Sequence, residues 1–174
     1  MQRYEIALIA AMNPQRVIGA DGEIPWHVKA DMQHFKEMTM GHDVVMGRRT
    51  YESIRRMSRN GHVLPGRHVI ILSLTLPSCM VGGETVARSV EEALEYARMP
   101  QQRLFVAGGG EIYQLFFPRA TSMYLTRVET SVEGSDALTY FPEWNMNDWE
   151  EMWCKPLAQY VDEPAANVSY WRLL

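Results

Sequence analysis

Hydrophobic positions along this chain fall into short continuous runs separated by polar, turn-rich stretches. EIALIAA (5–11), DVVMG (43–47), HVIILS (68–73), RLFVAG (103–108) and SMYLTRVE (122–129) hold apolar side chains at neighbouring positions, not only alternate ones. A strand with one buried face alternates. A continuous run bounded by turn residues predicts a strand covered on both faces, as in a parallel sheet. Between the runs the period lengthens. KADMQHFKEM (29–38) sets Met32 three residues and Asp31 four residues before Phe35, and the segment after GGG (109–117) carries Ile112, Leu115 and Phe116 at helical spacing. SVEEALEYARM (89–99) opens with Ser89 and, three residues on, Glu92, the pattern of a capping box. The alternation of strand and helix stops near the C-terminus, where DWEEMWCK (148–155) and NVSYWRLL (167–174) read as strands with no helix between them. The pattern predicts an α/β fold: a mainly parallel central sheet flanked by helices, with an antiparallel C-terminal hairpin at one edge. A single domain over 1–174 is expected, with mobile loops at 13–25, 57–66 and 133–142.

Composition narrows the function classes. With 174 residues, 47% of them hydrophobic and 22% charged, a single domain of this length buries roughly 70% of the surface its unfolded chain exposes. A formal net charge of −4 argues against broad binding to nucleic acid or anionic membrane, both of which favour a basic face. Cys79 and Cys154 stand far apart in no CxxC pattern, which suits a reduced, cytoplasmic protein. The five histidines show no metal-ligand spacing, so no metal is expected. The apolar start of MQRYEIALIAAMN is too short to span a bilayer and lacks the layout of a signal peptide.

Three segments carry candidate chemistry. In an open α/β sheet, ligands gather beyond the carboxyl ends of the strands. VVMGRRT (44–50) runs from a strand through Gly47 into a helix start, where Arg48, Arg49 and Thr50 offer cationic forks and a hydroxyl to phosphate. VAGGGEIY (106–113) repeats the junction with three glycines, leaving no side chain between a phosphate and the helix amides. Two such junctions in one small domain point to a dinucleotide with its pyrophosphate between them. The third segment, IPWHVKADMQHF (24–35), sets one carboxylate, Asp31, among Ile24, Pro25, Trp26, Val28, Met32 and Phe35. Burial raises a carboxyl pKa, and a flat ligand donating two N–H groups would favour the charged form. Solvated arginines, a flexible glycine turn and a first-turn aspartate are the plainer readings of the three; their combination favours a site.

IALIAAMNPQRVIGADGEIPWH, ADMQHFKEMT, VVMGRRTYESI, LPGRHVIILS, FVAGGGEIYQLFFP and YLTRVE, in this order and over nearly the whole chain, resemble dihydrofolate reductase. The resemblance implies NADPH-dependent reduction of 7,8-dihydrofolate to 5,6,7,8-tetrahydrofolate, serving one-carbon metabolism and thymidylate synthesis, in a cytoplasmic monomer that also binds antifolate inhibitors. By match, Asp31 grips the pterin N3 and 2-amino group, Thr126 braces Asp31, and Trp26 helps order the water that protonates N5. Ile9, Ala11, Met32, Phe35, Ile54 and Leu64 would border the substrate, and Arg67 would pair with the α-carboxylate of its glutamate tail. Ala11, Ile18, Gly19, Gly47, Arg48, Arg49, Thr50, Ser73, Gly109, Gly110 and Tyr113 would contact NADPH, with Arg48 at the 2′-phosphate. The 13–25 loop would close over the nicotinamide.

The chain departs from the family pattern in places. The stretch before LPGR is long, Leu74 stands where a second serine is common, and Ala107 stands where a larger Ile or Val is usual. The smaller Ala107 is expected to widen the cavity near the nicotinamide, so Ala107→Ile should tighten inhibitors that fill it, as a competitive inhibition series would read. The aspartate expected to support the closed loop is Asp136. Two other readings belong to different classes: a reductase of a ribosylated pyrimidine in riboflavin synthesis, and a non-catalytic nucleotide-binding module. The first has no need of the Trp26–Asp31–Phe35 arrangement, and the second none of Asp31, Trp26 and Thr126.

Overall fold

The computed structural model describes residues 4–78, 82–98 and 103–174; Arg3, Cys79 and Met99 lie outside them. In chain order the elements are β1 (Glu5–Met12), β2 (Val17–Ala20), α1 (Lys29–Thr39), β3 (Asp43–Gly47), α2 (Arg48–Met57), β4 (His68–Leu72), β5 (Thr85–Ala87), α3 (Val90–Tyr96), β6 (Arg103–Val106), α4 (Gly110–Phe116), β7 (Ser122–Val128), β8 (Leu138–Tyr140), β9 (Trp149–Pro156) and β10 (Ala166–Leu173). An eight-stranded sheet runs in the order β5-β4-β3-β6-β1-β7-β10-β9. The pairings from β5 to β7 are all parallel, and β10 pairs antiparallel with both β7 and β9. The expected parallel sheet with a C-terminal hairpin at its edge is the architecture found.

The continuous apolar runs are explained by two cores. Side chains alternate across a strand, so neighbours serve opposite faces. Leu8, Val45, Ile70, Leu104, Val106 and Met123 pack with Val90, Ala93, Ile112 and Phe116 of α3 and α4. Ala7, Ile9, Val44, Met46, Ile71 and Phe105 pack with Tyr51, Phe35 and Ile54 of α2 and α1. Leu115, grouped with Ile112 and Phe116 by spacing, is instead 46% exposed. The short α4 turns only Ile112, Tyr113 and Phe116 to the sheet. Ser89 caps α3 as its spacing predicts, accepting from the Glu92 amide at 3.1 Å. The Glu92 carboxylate, however, takes the amide of Arg88, one residue ahead of the cap, at 2.5 Å.

Two stretches read as loops contain strands. β2 and β8 form a separate antiparallel pair, with Gly19 opposite Thr139 and Ala20 opposite Leu138. They are only four and three residues long, VIGA and LTY, so no extended run of apolar residues announces them. At the opposite end of the main sheet, the first residue of each parallel strand is polar and paired. His68 Nδ1 lies 2.8 Å from Asp43 Oδ1, and its Nε2 lies 2.9 Å from Thr85 Oγ1. Arg103 Nε donates to Glu5 Oε2 at 2.6 Å, and the Ser122 hydroxyl donates to Glu5 Oε1 at 2.6 Å.

Candidate active site

The candidate residues converge on the carboxyl ends of the parallel strands. β1 brings Ile9 and Ala11 to that end, and the register places Ala11 beside Thr126 of β7. α1 then starts so that Asp31 falls in its first turn. An aspartate there ordinarily serves the exposed amides of the helix N-terminus. Here the N-cap residue is Val28, and no side chain caps it. The Lys29 amide instead donates to Glu163 Oε2, from the β9–β10 connection, at 3.0 Å. Asp31 is thus not required by its own helix. Burial pushes its carboxyl pKa up, and a hydrogen bond with the Thr126 side chain pulls it part of the way back. Thr126 is itself almost fully buried. A carboxyl group left with little hydration and one side-chain partner is suited to a ligand that supplies N–H donors.

The walls of this space come from two apolar clusters. Trp26 and Ala11 pack against Val28, Val128 and Ala166 on one side. Phe35, Ile54, Leu64 and Ala107 are partly buried on the cluster that holds Ile9. Met32, expected at the substrate, is 57% exposed. Tyr113 reaches the same region from α4, its hydroxyl donating to the Ile9 carbonyl at 2.6 Å. Burial, and next the charge of Asp31, hold the Tyr113 pKa far above its ordinary value, so it remains a neutral donor.

Arg67 lies further out. Its Nε donates to the Leu64 carbonyl at 3.2 Å and its Nη1 to Thr39 Oγ1 at 3.5 Å. Thr39 was not anticipated, because its role depends on the end of α1 meeting the turn before β4. Burial lowers the guanidinium pKa from its ordinary value. Arg67 has no carboxylate partner among the described residues. A partly buried guanidinium bonded only to neutral oxygens among the described residues is suited to receive an anion.

The two glycine junctions face each other across β3 and β6, and the Gly47 amide donates to the Gly108 carbonyl at 2.8 Å. Small residues are required there. A methyl group on Gly110 would lie 2.6 Å from Thr139 Cγ2, and one on Gly47 would lie 2.9 Å from Ile112 Cγ1. One on Gly109 would point at Thr50 Oγ1, 3.6 Å away. Gly108, at φ 101°, holds a backbone conformation open to glycine. Arg48 and Arg49 are exposed at the start of α2. Arg48 Nη1 donates to Thr75 Oγ1 at 3.2 Å, so Thr75 supplies a hydroxyl one residue beyond Leu74, which is 82% exposed. Ser73 Oγ accepts from the amides of Thr75 and Leu76 at 3.3 and 3.1 Å, fixing that turn. These features suit a dinucleotide phosphate: an uncrowded backbone cradle, flanking hydroxyls and exposed guanidinium groups. Asp136, expected to support the 13–25 loop, is exposed, and its carboxylate accepts no hydrogen bond among the described residues. No group of residues able to hold a metal ion occurs among the described residues.

Comparison with known proteins agrees with this geometry. The family model for dihydrofolate reductase matches residues 5–170. The chain is 42% identical over 148 residues to dihydrofolate reductase HdrB of Haloferax volcanii, covering 83% of this chain and 74% of that protein. It is 36% identical over 145 residues to the dihydrofolate reductase of Bacillus subtilis, covering 83% and 80%. Among solved structures it resembles dihydrofolate reductase from Enterococcus faecalis, complexed with NADP(H) and RAB-propyl. The TM-score is 0.83 at 30% identity, covering 98% of this chain and 97% of that one. On the match over almost its whole length, the chain belongs to the dihydrofolate reductase family.

Proposed function

We propose that Asp31, braced by Thr126 and walled by Trp26 and Phe35, is the residue through which this chain carries out its family's reaction. As a member of that family the chain catalyses the NADPH-dependent reduction of dihydrofolate to tetrahydrofolate. NADPH, when bound, supplies the hydride. Gly47, Thr50, Gly109 and Gly110 would hold its pyrophosphate region, with Arg48 and Thr75 at the 2′-phosphate. Ala11, Ile18, Gly19 and Tyr113 would border the nicotinamide, beneath the 13–25 loop.

The carrying observation is the release of Asp31 from capping α1, together with its desolvation. In the empty pocket its charge is costly. A pterin ring presenting N3–H and a 2-amino group gives two donors to two carboxylate oxygens, and that pairing restores the charged form. The pairing also orients the ring between Phe35 and the Ile9–Ala11 edge. The carboxylate then faces N3 and not N5, so the proton for N5 arrives through water, which Trp26 helps to order. Arg67 takes the α-carboxylate of the glutamate tail, and Leu64 and Ile54 cover the benzoyl group. Antifolates that carry the same donor pair would bind by the same contact.

Following NADPH oxidation with dihydrofolate for wild type and Asp31→Asn across pH tests this reading. Turnover in the wild type that collapses in the variant at neutral pH is expected; turnover indifferent to the substitution would remove Asp31 from the mechanism. The chain is further read as a cytoplasmic monomer, and no helix among the described residues is long and apolar enough to cross a membrane. Gel filtration with light scattering tests the monomer.

A further inference from the structure

The 13–25 loop is held by an unusual amount of specific chemistry at one residue, Arg16. The loop begins on a rigid base. Buried Asn13 accepts from the Gln15 and Val17 amides through its side chain, at 3.0 and 2.9 Å, and its own amide donates to the Val17 carbonyl at 3.0 Å. This turn drives Arg16 to φ 64°, the left-handed region that is unfavourable for a residue with a Cβ. Glycine or asparagine would fit there more easily, so the arginine side chain is the feature to explain.

That side chain reaches across the molecule. Arg16 Nη1 donates to the Phe141 carbonyl at 2.5 Å, and Nη2 donates to Glu143 Oε1 at 2.7 Å. The Phe141 amide returns a hydrogen bond to the Arg16 carbonyl at 2.8 Å. The two residues thus exchange bonds through backbone and side chain, next to the Val17–Tyr140 pair that opens the β2–β8 ladder. At the other end of that ladder the Asp21 amide donates to the Ala137 carbonyl at 2.9 Å. Between them Thr139 lies against Gly19 of β2 and Gly110 of the glycine cradle. A methyl group on Gly19 would lie 3.8 Å from Thr139 Oγ1, while one on Gly110 would meet Thr139 Cγ2 at 2.6 Å. The loop, its docking strand and the glycine cradle therefore touch through one side chain.

We propose that Arg16 is a positioning residue: its guanidinium latches the 13–25 loop to Phe141 and Glu143, sets the register of β2 on β8, and so holds Ile18 and Gly19 over the cofactor. In this chain the latch occupies the role expected of Asp136. Register matters because a shift of one residue turns every β2 side chain to the opposite face. A guanidinium suits the task, since its fixed fork engages a carbonyl and a carboxylate at once where an ammonium is a single point charge. The proposal rests on the reading that this loop covers the nicotinamide.

The test uses the full chain with Arg16→Ala, Arg16→Lys and Glu143→Gln. NADPH dissociation is followed by stopped flow, hydride transfer by single turnover with NADPH deuterated at the transferred position, and amide hydrogen exchange in the free protein at Asp21 and Phe141. Arg16→Ala is expected to speed NADPH release and slow hydride transfer by about tenfold each, with dihydrofolate KM changed less than about twofold. Exchange at both ladder amides should accelerate. Arg16→Lys should restore part of each effect. Glu143→Gln should shift each in the same direction by less than Arg16→Ala does, because glutamine keeps the acceptor oxygen and this end of the latch is largely in water. Arg16→Ala with release and ladder exchange within twofold of wild type overturns the proposal. So does a uniform loss of NADPH affinity, dihydrofolate affinity and melting temperature without rescue by lysine, which marks a structural role. If the wild type failed to reduce dihydrofolate, the functional reading would fall, and NADPH release with amide exchange would still decide the latch.

Discussion

The two ends of the parallel sheet treat their polar groups in opposite ways. At the amino end, Thr85, His68 and Asp43 are joined in one chain, and Arg103, Glu5 and Ser122 in a second, across six neighbouring strand starts. Each of these six strand-start side chains finds its partner within the protein, while His42 Nε2 and Glu84 Oε2 beside them are buried without one among the described residues. At the carboxyl end, Asp31 is supported by the Thr126 side chain, and Arg67 has two neutral oxygens but no carboxylate among the described residues. A desolvated ionisable group without an oppositely charged partner is suited to a ligand that supplies one, which supports the contacts proposed for Asp31 and Arg67. Two buried or half-buried aspartates therefore differ in their partners: Asp43 joins β3 to β4 through His68, and Asp31 is the group proposed to meet the substrate.

The sharpest way to break this comparison is to neutralise Asp31. Asp31→Asn is expected to lower kcat/KM for dihydrofolate at neutral pH by about a hundred- to ten-thousandfold, the usual range for losing acid–base assistance. Its urea midpoint should stay level or rise, because a poorly hydrated charge is removed; a large fall in stability would assign Asp31 to the scaffold. Arg67→Ala should raise the dihydrofolate KM about tenfold or more, as expected for losing a charged hydrogen-bonding partner, with kcat nearly unchanged. An unchanged KM would return Arg67 to the surface.

Asp43→Ala addresses the other end. Stripping His68 of its partner should cost about 1–3 kcal/mol of unfolding free energy, read by urea titration, with turnover of the folded fraction within twofold of wild type. Loss of activity at full stability would defeat the division between the two ends. The smallest effect is a pH slope. Because burial raises the Asp31 pKa, the folded protein without ligand holds that proton more tightly than the unfolded chain does. The Asp31 contribution to stability is therefore fully present below its ordinary value of 3.8 and is lost as pH rises through the raised one. Wild type should lose stability relative to Asp31→Asn over that window, and parallel pH profiles would contradict the shift.

Much of this was legible along the chain because it follows from local chemistry. Val44–Val45 and Ile70–Ile71 offer apolar side chains to both faces of a strand, which only a layered α/β sheet buries. Ser89 and Glu92 sit at capping distance by spacing alone. Glycines 47, 108 and 110 mark the approaches where a side chain would collide. Asp31 and Phe35 share a helix face by periodicity, and the motif resemblance supplied their roles.

Other features depended on the assembled molecule. β2 and β8 are too short to announce themselves, and their pairing exists because residues 13–21 and 137–143 arrive side by side. Thr39 meets Arg67, and Thr75 meets Arg48, across turns whose geometry no spacing encodes. Glu163 takes the N-terminus of α1 from the far end of the chain and so frees Asp31, a separation of 134 residues. Local sequence determines which backbone conformations and buried faces are favourable, since those terms are set within a turn or a strand. Which polar groups end up paired is a long-range outcome, set by the order and register of the strands; only the tertiary structure decided that Asp43 would meet His68 and that Asp31 would lie half-buried beside Thr126.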